Sequence, residues 1–183
     1  MILTDDNFES IVDGIKEGRI VFNNVRKVIF LLISTGAAEI VLFFLSIVCG
    51  LPMPLFPLQI LWLNLVTNGL QDVALAFEPE EGNELEKPPR SVQERIFNRP
   101  MIERVCINAT FIGLVSFVVF YWCLTHGYDE FSARNLTLLL MVLFENIHVL
   151  DARSEELSVF RHRFWGNPFL IIAMISAQGV HIA

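Results

Sequence analysis

Glu39, Asn64, Thr67, Asn68, Asp72 and Glu145 stand inside stretches that are otherwise apolar enough to cross a bilayer. Their carboxylates, amide carbonyls and hydroxyl are hard oxygen donors, suited to Ca²⁺, Mg²⁺, Na⁺ or K⁺, whereas copper or zinc would call for thiolates or several imidazoles. The densest group lies in residues 55–77, LFPLQILWLNLVTNGLQDVALAF. On a regular helix Asn64, Thr67, Asn68, Gln71 and Asp72 sit at about 0°, −60°, 40°, −20° and 80° around the axis, so they share one face. Side chains this polar survive in hydrocarbon mainly by lining a bundle interior or an ion path. The six named residues are therefore the candidate metal ligands. Glu39 has Thr35 one turn before it on the same side, with Ser34, Gly36, Ala37 and Ala38 small enough to admit a neighbouring helix. Glu145 is followed by Asn146 and, one turn on, by His148, which with Asp151 is expected only to snorkel or cap at the interface. Asn108, Thr110, Gly113 and Ser116 read as packing residues.

These side chains need spanning helices to hold them, and the composition supplies such helices. The chain is 54% hydrophobic and 18% charged, with a mean hydropathy of +0.53, too apolar for an ordinary soluble domain of this length. Five apolar stretches stand at about 28–49, 55–77, 105–124, 133–150 and 169–183, against about 20 residues for a spanning helix. All but Arg134 of the 13 basic residues fall before the first stretch, between the second and third, or after the fourth. By the positive-inside rule the amino end is cytoplasmic. Tyr121, Trp122 and Tyr128 then fall at the outer interface and Trp165 at the inner one. Asp6 and Glu9 form a capping box, and Phe8, Ile11, Val12 and Ile15 make one apolar stripe on a stalk that runs on into the first span. Pro52, Pro54 and Pro57 stiffen the hinge after it, so the first two spans should pair tightly. The fold class expected is all-α: a polytopic transmembrane helix bundle with an amino-terminal cytoplasmic stalk helix.

The formal net charge of −7 comes from acidic residues gathered at the amino end and in EPEEGNELE, read as a solvated connector. No basic run with interleaved aromatics suggests nucleic acid. Cys49, Cys106 and Cys123 show no CxxC spacing, and buried free thiols are expected rather than a zinc site or a disulfide.

Four strings, ILTDDNFESIVDGIKEGRIVFNNVRKVI, STGAAEI, PLQILWLNLVTNGL and VLFENIHVLDARSE, resemble in order the carboxy-terminal part of P-type cation-transporting ATPases, closest to the calcium and sodium/potassium branch. The resemblance covers almost the whole chain. It implies that residues 1–27 end the phosphorylation domain and form the stalk, and that 28–183 hold membrane helices five to nine of ten. By position Glu39 falls on the family's fifth-helix Glu, Asn64 and Thr67 on the sixth-helix Asn and Thr, and Glu145 on the eighth-helix Glu of calcium pumps. Two departures stand out: Gly36 where calcium pumps have Asn, and Asn68 where they have Asp. Asp72, one turn further along, is placed to compensate, and the identity and number of ions stay open.

The family's DKTGT, TGE and TGDGVND strings do not occur in these residues, so this stretch alone is not expected to hydrolyse ATP. The resemblance implies that ATP and magnesium act in the parent protein, outside this chain. It also implies that the partners are membrane lipid, the transported cation, and the cytoplasmic domains and first four helices of a longer pump, in a plasma or inner membrane. A secondary cation transporter or channel, or a nonfunctional truncated remnant of a pump, are the alternative readings.

Overall fold

The structure, a computed structural model, describes residues 8–86, 88, 96–154 and 164–182. Asp6 of the expected capping box lies outside them, as do Lys87, Arg90, Arg95, Arg161 and Arg163. The described residues form helices and connecting loops with no strand. They are α1 (Phe8–Val48), α2 (Pro57–Trp62), a π turn (Leu63–Asn68), α3 (Gly69–Ala76), α4 (Arg99–Thr125), α5 (Glu130–Ala152), a 3₁₀ turn (Phe164–Gly166) and α6 (Pro168–Ile182). α1, α4 and α5 are each long and apolar enough to cross a membrane, and α6 is a shorter apolar helix.

Local chemistry sets the ends. α1 stops at Gly50, whose φ of +67° ends the helix in the left-handed region that glycine tolerates. Asn98 and Asp129 cap α4 and α5 by accepting from the backbone N–H of Met101 (2.9 Å) and Ser132 (3.1 Å). Asn167 does the same for α6 through Leu170 N–H at 3.0 Å.

The second apolar stretch is not the uniform α-helix assumed in placing its polar face. The Asn64 side-chain amide donates to the Ile60 carbonyl at 3.0 Å, the acceptor that an α-helix gives to the Asn64 backbone N–H. The ladder widens into the π turn there, a feature that frequently accompanies functional sites.

α1 is the spine: it pairs with the second stretch, as the proline hinge led us to expect, and packs more extensively still on α4. Small residues explain this: Gly113 of α4 lies so close to α1 that a Cβ there would stand 2.7 Å from the Ala38 carbonyl oxygen and 2.6 Å from Val41 Cβ. Ala38 and Ala109 are buried in the same seam. Between lipid-embedded helices such close approach supplies the packing attraction that hydrophobicity cannot.

Toward the amino-side end of the bundle, Phe30, Leu31, Leu75, Val149 and Leu170 form one apolar cluster. Toward the other end Leu42, Leu55, Leu63, Met141 and Val142 form another. On three elements the polar residues fall between these two layers: Thr35 and Glu39 on α1, Asn64 to Asp72 on the π turn and α3, and Glu145 on α5.

Candidate functional site: a buried oxygen cluster

The three elements meet through their amides. Asn64 Nδ2 donates to Glu39 Oε1 at 2.9 Å, which joins the second stretch to α1. Asn68 Nδ2 donates to Thr35 Oγ1 and to Asn64 Oδ1, both at 3.3 Å. Gln71 Nε2 donates to Asn146 Oδ1 of α5 at 2.8 Å, and Asn146 Nδ2 donates on to Gln178 Oε1 of α6 at 3.0 Å.

While these donors are engaged, several acceptors are not. Thr67 Oγ1, Asn68 Oδ1, Gln71 Oε1, Asp72 Oδ1 and both carboxylate oxygens of Glu145 are buried without a hydrogen-bond partner among the described residues. Thr67, Asn68 and Gln71 are fully buried and Glu145 is 2% exposed, while Glu39, Asn64 and Asp72 are half-buried. Glu145 stands on α5 next to Asn146, the residue that Gln71 bonds. A buried acceptor left unpaired costs about 1–3 kcal/mol, and more when it is charged. Such a set favours an electron-poor guest. No group of three or more His, Cys, Asp and Glu side chains that could hold a metal ion is found among the described residues, and the layer's other oxygens come from amides and a hydroxyl.

All six residues singled out in the sequence occupy this layer, and direct bonds join Glu39, Asn64 and Asn68. Sequence reasoning passed over Gln71 as a ligand and did not single out Gln178, a lone amide in the apolar run of α6. His148 does not snorkel: it is buried, with its ring 5.1 Å from that of Phe30. Asp151 instead pairs with Arg104 at 2.9 Å.

The acidic loop also departs from expectation. Glu78 is buried and pairs with Arg153 at 2.7 Å while accepting from Asn167 Nδ2 at 2.8 Å. Lys27 pairs with Glu81 at 3.0 Å, Lys16 pairs with Glu80, and Asn24 Nδ2 donates to the carbonyls of Ala76 and Glu78. Residues 78–84 are therefore docked on α1, with Glu78 and Glu84 buried and Pro79, Glu80 and Gly82 still exposed, because the basic residues counted only for orientation sit at the matching height. Glu84 closes the turn. Burial alone would raise its carboxyl, but the backbone N–H groups of Glu81 (2.7 Å) and Gly82 (3.0 Å, φ +88°) donate to it and hold it below the usual carboxylate range. Of the cysteines, Cys123 is buried, whereas Cys49 and Cys106 are exposed on the isolated chain, and none is paired. Arg134, the basic residue that the sequence sets apart from the other twelve, is buried against Met53 O and Glu130.

Several membrane-crossing helices around a buried, mostly acceptor-lined layer define a multi-pass membrane protein with a polar interior. Residues 52–183 match the family described as "Cation transporting ATPase, C-terminus", and the chain belongs to that family, carrying its carboxy-terminal membrane region. It is similar to a calcium-transporting ATPase of Bacillus subtilis, 36% identical over 97% of this chain and 20% of that protein. A probable calcium-transporting ATPase of Trypanosoma brucei brucei is 32% identical over the whole chain and 20% of its own length. The endoplasmic reticulum calcium ATPase srcA of Aspergillus fumigatus is 30% identical, again over the whole chain and 22% of its own length. The chain thus spans about a fifth of the length of these relatives.

Proposed function

We propose that this chain is the cation-binding part of an ATP-driven pump and that its cargo is a hard metal cation, Ca²⁺ first. The observation that carries the reading is the division of the amides: in Asn68 and Gln71 the N–H groups are engaged by protein while the carbonyl oxygens are left without a partner, as are both oxygens of Glu145. An anion or a neutral hydrogen-bond acceptor would need the reverse. The ligands we assign are Glu39, Asn64, Thr67, Asn68, Asp72 and Glu145, a donor set of oxygens alone. The names of the relatives support calcium as the first ion to test. ATP and its magnesium would act in cytoplasmic domains outside these residues. Residues 1–27 would end the phosphorylation domain and form its stalk, with the amino end on the cytoplasmic side of a plasma or inner membrane, as the basic residues suggest.

The test is phosphoenzyme formation from ATP by the full-length pump in membrane vesicles. Added Ca²⁺ should stimulate it, and Glu145→Gln should abolish the stimulation. Phosphorylation indifferent to Ca²⁺, Na⁺ and K⁺ would remove the assignment.

A further inference from the structure

Gln71 is outside the ligand set above, and three facts set it apart. It is fully buried, its Oε1 has no partner, and its Nε2 is bound to Asn146, the neighbour of Glu145. It stands three and four residues after Asn68 and Thr67, the spacing at which helical side chains are neighbours, and those two also carry unpartnered buried oxygens. The bond to Asn146 engages the Nε2 end of the Gln71 amide and leaves Oε1 without a partner. Asn146 in turn is held by Gln178, so the chain runs donor to acceptor from α3 through α5 to α6. Hydrogen bonds in such a series polarise one another, which makes the terminal carbonyl oxygen a better acceptor.

We propose that Gln71 Oε1 is a further oxygen ligand for the transported cation, and that Asn146 and Gln178 are positioning residues that hold the amide with its oxygen toward the site. The proposal rests on the cation-pump reading. It draws α6 into ion binding without a direct ligand from that helix: Gln178 acts only through Asn146 and Gln71. Partners one bond removed from a metal ligand, as Asn146 is from Gln71, commonly change metal affinity by about 10–100-fold when lost, and Gln178 stands one bond further out.

The experiment is equilibrium binding of radioactive Ca²⁺ to the purified full-length pump, with the cation-free thermal midpoint measured beside it. Wild-type protein should bind saturably and Glu145→Gln should not. Failure of either arm strikes down the calcium reading and this proposal with it. Granted both, Gln71→Leu should weaken Ca²⁺ at least about 10-fold, and Gln178→Leu by about 10-fold, the lower end for a supporting partner. Gln178→Glu keeps an acceptor for Asn146 and should bind nearly as wild type. Unchanged affinity in Gln71→Leu overturns the ligand, and equal loss in Gln178→Leu and Gln178→Glu overturns the positioning. Should Gln71→Leu lower the cation-free midpoint, the Gln178 pair decides: rescue by Glu supports the proposal, and no loss in Leu or no rescue by Glu rejects it.

Discussion

Asn68 is an amide at the position where the resemblance to calcium pumps implies a carboxylate, and its hydrogen bonds give that difference a physical meaning. An amide can both clamp and coordinate: its N–H groups tie Thr35 and Asn64 together while its carbonyl stays unpartnered. The negative charge then has to come from elsewhere, and Asp72, one turn on with an unpartnered buried oxygen, is placed to supply it. Asp72→Asn in the full-length pump is expected to weaken cation-stimulated phosphorylation, while Asn68→Asp should preserve or strengthen divalent binding. Wild-type cation affinity in Asp72→Asn would rule out the substitution of one charge for the other. Glu84 carries a prediction outside the membrane. Because its carboxyl is held below its unfolded value, its ionised form stabilises the loop above the ordinary carboxylate range, and that contribution is lost only as the pH falls through the lowered value. Protection of the Glu81 and Gly82 amides, corrected for intrinsic exchange, should therefore not change between about pH 8 and pH 6. Loss of protection near pH 6 would contradict the turn described here.

α1 joins these features along one continuous helix of 41 residues, about 60 Å at 1.5 Å per residue. Lys16, Asn24 and Lys27 hold the acidic loop at one end, and Thr35 and Glu39 reach the oxygen layer further along. A rigid element that two sites both bias is the physical requirement for coupling them. Inserting a Gly-rich segment between Gly18 and Asn23 of the full-length pump should uncouple ATP hydrolysis from transport while leaving membrane insertion intact; unchanged transport per ATP would end the rod mechanism. The α1–α4 seam makes a separate prediction. Gly113→Leu has no room beside Ala38 and Val41, so overpacking should cost about 1–3 kcal/mol, read as a lower unfolding midpoint in detergent. Arg153→Met should be worse than a surface charge change, since it leaves Glu78 buried with its ion-pair partner removed, a loss of about 3–5 kcal/mol.

The apolar stretches and the residues of the polar layer were legible because charge and amide groups are so costly in hydrocarbon that they mark themselves. The π turn was not, since it depends on a side-chain bond from Asn64 to Ile60 that competes with the backbone ladder. The docked loop was not either. A run such as EPEEGNELE looks solvated until the partners 50 or more residues away, Lys27 and Arg153 among them, are seen at the same height. Gln178 was hidden for a similar reason: one amide in an apolar helix is ordinary until a chain of amides ends on it.

Taken together, the chain is a bundle in which a layer rich in unpartnered oxygen acceptors is held between two apolar clusters and tied through α1 to an ion-paired loop at one end. The chain belongs to the cation-transporting ATPase family and spans about a fifth of the length of its relatives, and the pump assigned to it is our proposal. The most direct measurement is a structure of the full-length pump with calcium bound, the ion located by its anomalous scattering. We expect the ion in the layer between Glu39 and Glu145, with oxygens of Asn68, Asp72 and Glu145 at about 2.3–2.6 Å, the usual range for Ca²⁺. Calcium seated elsewhere, with those oxygens turned to hydrogen bonds within the protein, would contradict the account.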